Sequence, residues 1–389
     1  MKLYWNRGDY DWQPERYKYS VEQMMLTLFP GERPEYPEEP AGAGEDWARF
    51  AVTPGEKWVT VTAQVAREGR QAQGRARFPR EKLDEPAEKV YHTVQHGLKM
   101  AFYRAGVTLL GQEPPWGALT GVRPVKLPTR AMLAGATPRQ AQLELERDFR
   151  VSPVRASLAV GCAKASLAVD RDLRDDQVSV YIGVPFCPTR CAYCSFVSAD
   201  VGRTLKLVEP YLEGVLREIA VTGESLRRAG KTVHSLYVGG GTPTTLSASQ
   251  LSQLLEAVHR ELPVEHCVEY TVEAGRPDTI DREKLLALRE AGIGRISINP
   301  QTLEDPVLQA IGRRHSAKDI LDAYALAREV GFDSINMDLI AGLPRDSFEG
   351  FCRSLNGVLA LEPENITVHT LALKKGSRLM EQGGALPSG

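Results

Sequence analysis

Three of the six cysteines in this 389-residue chain fall in one short stretch, Cys187, Cys191 and Cys194, spaced C-x3-C-x2-C. Thiolates this close can converge on a soft metal centre, either an iron–sulfur cluster or zinc. Three thiolates cannot fill a four-iron cluster, so one iron would stay open for a substrate or cofactor. A closed zinc site would need a fourth ligand, for which His266 and Cys267 are the candidates, although both precede a strand and belong at its far end.

Other residues of chemical interest recur at the ends of apolar runs. Gly239-Gly240-Gly241 leads into Thr242-Pro243-Thr244. Three glycines let a backbone approach a ligand closely, but this stretch lacks the lysine of a phosphate loop and does not match G-x-G-x-x-G. Glu273 ends one apolar run, Asn299-Pro300-Gln301 ends the next with Arg313 twelve residues on, and Asp338 lies between Met337 and Leu339. Singly, each reads as an ordinary polar residue at a sheet edge. Together they describe a lined cavity, in which carboxylates hold hydroxyl or ammonium groups and Arg313 with Gln301 holds a carboxylate.

The elements that position these residues are six β-type runs, 178–183, 235–239, 269–274, 295–299, 334–340 and 365–371, alternating with helices. The runs are short and largely apolar, the pattern of parallel strands covered on both faces. Ser316 with Asp319 forms a capping box, Asp346 or Ser347 opens a later helix, and Gly292 and Gly331 mark helix ends. Such a repeat forms either a partial barrel or a flat doubly wound sheet, and in both the site lies at the carboxyl ends of the strands. The first 175 residues read as a small α+β domain, 1–135, with a helical connector, 136–175, ahead of the core at 176–389. Within them, 30–44 is a Pro/Gly loop, 57–78 a hairpin, 82–105 a helix, 114–126 turn-rich, and 138–150 and 153–170 helices.

A net charge of −2 offers no electrostatic case for nucleic acid or an anionic membrane. The stretch 157–169 is broken by Lys164 and is no membrane span, and residues 1–9 lack the apolar core of a signal peptide. A reducing cytoplasm is the expected location, where clustered cysteines are metal ligands more often than disulfides. Cys162, Cys267 and Cys352 stand singly and read as packing residues.

The cysteine motif followed by Gly-Gly-Gly-Thr-Pro-Thr resembles the radical S-adenosylmethionine (SAM) enzymes. Tyr-Ile-Gly-Val-Pro-Phe-Cys, Glu-Ala-Gly-Arg-Pro, Asn-Pro-Gln-Thr-Leu and Met-Asp-Leu-Ile-Ala-Gly-Leu-Pro occur in the order of the oxygen-independent coproporphyrinogen III oxidase group. Trp-Gly-Ala-Leu-Thr-Gly-Val-Arg-Pro at 116–124 is similar to its coproporphyrinogen dehydrogenase branch, the HemZ type. The resemblance implies an α/β fold, a partial (β/α)6 TIM-like barrel, with a [4Fe–4S] cluster on Cys187, Cys191 and Cys194 and S-adenosylmethionine on its open iron. It implies that Gly240 and Gly241 meet the methionine part of the cofactor, and that Tyr181, Tyr193, Glu273, Gln301, Arg313, Asp338 and, more loosely, Ala372 line its pocket. Tyr181, Tyr193 and Ala372 come from the resemblance alone. It further implies oxidative decarboxylation of coproporphyrinogen III propionates to vinyls, or haem binding and delivery, and an electron donor such as a flavodoxin or ferredoxin. Arg123, Lys126, Lys374 and Lys375 are candidate propionate partners. Two features depart from the pattern: Phe196 stands where oxidases of known activity carry a further cysteine, and the sequence stops soon after the sixth strand, where a C-terminal helical lid is expected.

Overall fold

A computed structural model describes residues 1–6, 12–39, 41–42, 44–121, 123–196 and 199–381. Pro40 and Ala43 of the expected loop, Val122 of the turn-rich segment, residues 7–9 of the N-terminal stretch and the chain end at 382–389 lie outside them. The chain divides into two compact units, Met1–Leu173 and Arg174–Gly389.

The first unit contains β1 (Lys2–Asn6), α1 (Lys18–Leu28), β2 (Trp47–Pro54), β3 (Trp58–Arg67), β4 (Arg70–Pro79), α2 (Ala87–Leu110), α3 (Lys126–Leu133), α4 (Pro138–Phe149) and α5 (Pro153–Asp172). The expected hairpin is β3–β4, and it is half of a four-stranded sheet ordered β1-β2-β3-β4, with β1 parallel to β2. One face of this sheet packs on α1 and α2 through Val61, Phe50, Met24, Leu98 and Phe102. The close approach of α2 needs Gly74: a β-carbon there would stand 1.9 Å from the Ala101 carbonyl oxygen. The helix expected at 82–105 begins only after Pro86 and runs on to Gly111, which ends it in the left-handed conformation at φ 70°.

The second unit carries β5 (Gln177–Val184), the short pair β6 (Phe186–Cys187) and β7 (Ala199–Asp200), α6 (Val201–Thr204), α7 (Val208–Arg228), β8 (Thr232–Gly240), α8 (Ala248–Glu261), β9 (Glu269–Gly275), α9 (Arg282–Glu290), β10 (Arg295–Gln301), α10 (Asp305–Ala310), α11 (Ala317–Val330), β11 (Ser334–Ala341), α12 (Phe348–Leu359), β12 (Asn365–Thr370) and α13 (Arg378–Glu381). Its six main strands are all parallel and lie in chain order, β5-β8-β9-β10-β11-β12. A doubly wound sheet would break that order at a switch point. Unbroken order is the wall of a barrel, here open between β5 and β12. Ser247–Gln250 and Ser316–Asp319 are capping boxes, and Ser347 rather than Asp346 caps α12.

The central strands β9, β10 and β11 are buried on both faces, as expected, but the two faces differ in chemistry. Residues such as Ile182, Val184, Leu236, Val238, Val272, Ile296, Ile298, Ile335, Met337 and Leu339 point to one side and form the core. The alternate residues are polar: Ser235 and Tyr237, Thr271 and Glu273, Ser297 and Asn299, Asn336 and Asp338, Thr367 and His369. This is the period-two pattern of a sheet with one apolar and one polar face. The polar face borders the cavity, and Thr271, Ser297 and Asn336 on it are themselves buried.

Candidate functional site: a cysteine-lined cavity at the strand ends

Within the second unit, a cavity of about 610 Å³ opens at the carboxyl ends of the strands. Cys187, Cys191, Tyr193, Cys194, Gly240, Gly241, Glu273, Gln301, Arg313, Asp338 and Ala372 all line it.

The cysteine loop starts as β6, which pairs with β7, and continues to Phe196 without helix or strand. Its shape depends on bonds from neighbours. Ala192 N–H donates to Ile311 O (2.9 Å), Thr189 Oγ1 donates to Gly312 O (2.9 Å), and Leu379 N–H donates to Ala192 O (3.0 Å). Behind it, the glycine turn after β8 is tied to the same segment: Gly241 N–H donates to Val184 O and Thr242 N–H to Phe186 O, both at 2.7 Å, and Thr242 Oγ1 reaches Cys187 Sγ at 3.6 Å. A β-carbon on Gly241 would stand 2.5 Å from Phe186 O, and Gly240 holds φ at 107°. The glycines are therefore required first by the cysteine loop lying against them.

Burial raises the Glu273 carboxyl above the ordinary value. The Tyr237 hydroxyl, donating at 2.7 Å, pulls it back, and the Asp338 charge pushes it up again. Tyr181 does not line the cavity. It is 62% exposed, and its ring stacks on Tyr237 at 6.0 Å. Asp338 accepts from Asn336 Nδ2 (2.7 Å), which also donates to Ser297 Oγ (2.8 Å), while Thr367 Oγ1 donates to Asn336 Oδ1 (2.9 Å). This ladder fixes the Asp338 carboxylate toward the cavity.

Gln301 is held at φ 70°, beside an irregularity in the β10–β11 register. Its buried Oε1 has no hydrogen-bond partner. Arg313 is buried, with Nη1 donating to Asn299 O and Nη2 to Tyr193 OH (3.3 Å), and its Nε is buried without a partner. The Tyr193 ring packs on Val307, Ile311, Ile340 and Leu343. Ala372 lies two residues beyond the last strand, which ends at Thr370.

Lys374 lines the cavity and Lys375 is exposed; Arg123 and Lys126 are exposed residues of the first unit. Cys267 lies at the opposite end of the sheet, with its thiol on Glu269 O at 3.2 Å. Among the described residues, no three Cys, His, Asp or Glu side chains form a group of ligands for one metal ion. The three thiols of the loop border one cavity. Sequence reasoning passed over Thr189, Arg276, Tyr237 and Asn336. The strict alternation of the strands was the signal that exposes the last two.

Residues 181–355 match the radical SAM superfamily. The chain is 38% identical over 350 residues to the oxygen-independent coproporphyrinogen-III oxidase-like protein HemZ of Bacillus subtilis, covering 88% of this chain and 69% of that one. It is 37% identical over 210 residues to the heme chaperone HemW of the same organism, covering 53% of this chain and 54% of that one. The solved structure of coproporphyrinogen III oxidase HemN from Escherichia coli aligns with TM-score 0.50 and 29% identity, covering 58% of this chain and 52% of that one. The chain belongs to the radical SAM superfamily and, within it, to the coproporphyrinogen-III oxidase-like group. That superfamily uses a [4Fe–4S] cluster and S-adenosylmethionine. The chain spans about half the length of the HemW and HemN relatives. Among the described residues, no helix is long and apolar enough to cross a membrane.

Proposed function

We propose that this protein is a radical SAM oxidoreductase that converts coproporphyrinogen III propionates to vinyl groups. The carrying observation is the convergence on one cavity of three thiols, a glycine turn and the buried side chains of Gln301 and Arg313, each of which keeps one polar atom, Oε1 and Nε, without a partner. Orphaned buried groups are costly, and a ligand that pairs them relieves that cost. Cys187, Cys191 and Cys194 would hold the cluster. Arg313, whose bonds go to two neutral oxygens, would take the cofactor carboxylate. Glu273 and Asp338 would receive its ribose hydroxyls or ammonium, and Gly240 and Gly241 would pass its methionine part.

The bound cofactors supply reductive cleavage and abstraction of one hydrogen atom from the propionate, with CO2 leaving and an electron passing to an acceptor. The protein orients the two reactants and keeps water out. Tyr193, packed on Ile311 and Leu343, closes the apolar side, while Lys374 at the rim offers a cation to a second propionate. A flavodoxin or ferredoxin would deliver the reducing electron.

A second reading, haem binding and delivery with a regulatory cluster, draws on Phe196. Its side chain is 64% exposed at the cavity, at the position where oxidases of known activity carry a cysteine. Anaerobic reconstitution separates the readings. 5′-Deoxyadenosine that rises when coproporphyrinogen III is added supports the first. Haem binding without that rise supports the second. Iron uptake that is absent, or unchanged in Cys191→Ala, overturns both.

A further inference from the structure

Arg276, just past the end of β9, is 3% exposed, and its guanidinium faces two ways. Nε and Nη2 donate to the two carboxylate oxygens of Asp278, at 3.0 and 2.9 Å. Nη1 donates to Thr189, to its backbone oxygen at 3.1 Å and its hydroxyl at 2.7 Å. Thr189 lies between Cys187 and Cys191, and its own hydroxyl proton goes to Gly312 O. Behind Asp278 stands His315, 5% exposed, with Nδ1 3.3 Å from Asp278 Oδ1. On the other flank, Arg313 bonds the hydroxyl of Tyr193, two residues after Cys191. Two buried guanidiniums thus grip the loop on either side of its most buried cysteine.

We propose that Arg276 is a positioning residue for the cluster: through Thr189 it sets the spacing of Cys187 and Cys191, and Asp278 with His315 sets Arg276. This rests on the reading of the three cysteines as cluster ligands. Residues 188–196 have no helix or strand of their own, so the path of the loop follows from bonds to its neighbours, these side-chain bonds among them. A guanidinium suits the task because one planar fork meets a carboxylate on one edge while another N–H meets the loop. Lysine, a single point donor, cannot do both. A buried guanidinium is also fixed in place by its carboxylate, since losing either partner leaves a charge unpaired away from water. Groups that orient metal ligands from behind typically change metal affinity by about 10–100-fold when removed.

The full chain is reconstituted anaerobically with iron and sulfide as wild type, Arg276→Lys, Thr189→Val and Thr189→Ser. Cluster loss to an added chelator is followed by absorbance, and the reduced cluster by electron paramagnetic resonance with and without S-adenosylmethionine. Arg276→Lys and Thr189→Val are expected to lose iron about tenfold faster than wild type and to show an altered resonance. Thr189→Val keeps the shape of threonine but removes two hydrogen bonds, so its circular dichroism melt is expected to fall by a few degrees, and Thr189→Ser, which keeps the hydroxyl, restores both the melt and the wild-type rate. Wild-type chelation rates and spectra in both variants overturn the role of Arg276 alone. Failure of the wild type itself to take up iron overturns the cluster reading as well.

Discussion

A β-carbon on Gly241 would stand 3.0 Å from the sulfur of Cys187. The two residues are 54 positions apart in sequence, and their contact makes the glycine turn the back wall of the cysteine loop. Gly241→Ala therefore moves Cys187 or the Phe186 carbonyl, and reconstituted protein is expected to hold markedly less iron per chain than wild type. Gly214 in α7 is the control, with nothing within 4 Å of its added β-carbon. Gly214→Ala is expected to load iron normally and to gain about 0.5–1 kcal/mol of stability.

Glu273 and Asp278 give opposite pH signatures. Burial raises the Glu273 carboxyl from its ordinary value, so the folded protein holds that proton more tightly than the unfolded chain. Stability is then lost as pH rises from the ordinary carboxylate range through the folded value. Glu273→Gln removes this loss, so its melting temperature is expected to exceed that of wild type by a margin that widens with pH, while S-adenosylmethionine binding weakens.

Burial also works against the Asp278 charge, but His315 and Arg276 overcome it and hold the carboxyl well below the ordinary range. Its stabilisation is present above the ordinary value and lost as pH falls through the folded one. Asp278→Asn is expected to cost about 2–3 kcal/mol at neutral pH, with the gap from wild type closing in strong acid. Thermal melts against pH measure both effects.

Gln301 combines a left-handed backbone with an unpartnered buried amide oxygen. Gln301→Gly relieves about 1 kcal/mol of backbone strain and adds a similar unfolded-state entropy, so the melting temperature stays near wild type. Cofactor affinity is expected to fall by about tenfold, as loss of a buried hydrogen bond implies. Calorimetric titration with S-adenosylmethionine checks it. A large drop in melting temperature would contradict the account.

Phe196 borders the cavity but contributes no group that a cluster needs. Phe196→Cys is expected to leave the iron content at the wild-type value. If the decarboxylase reading holds, product formed per turnover of S-adenosylmethionine rises. Vinyl product measured against 5′-deoxyadenosine gives that ratio.

The site was legible where a residue type is costly without a reason. The spacing of Cys187, Cys191 and Cys194 suggested metal ligands, and Glu273 and Asp338 stood out against apolar neighbours; all five border one cavity. The barrel was not legible from periodicity, because a flat sheet and a curved one share the same βα repeat; strand order separates them. Reading the strands as largely apolar hid Tyr237 and Asn336, although Ser235-Leu236-Tyr237-Val238 and Asn336-Met337-Asp338-Leu339 alternate visibly. The Arg276–Thr189 pair spans 87 positions, and no local pattern points to such a pair. Likewise β1 joins β2 only through tertiary pairing, since five residues carry too little pattern of their own.

Because the apolar face of the barrel wall lies on the helix side, the second unit builds its hydrophobic core without help from whatever fills the cavity. Small zinc domains unfold when stripped of metal. This one is expected to keep its shape with bare cysteines. Oxygen damage to the cluster is then a repairable injury: the apoprotein persists as a folded acceptor, and a fresh cluster can be delivered to it without new synthesis.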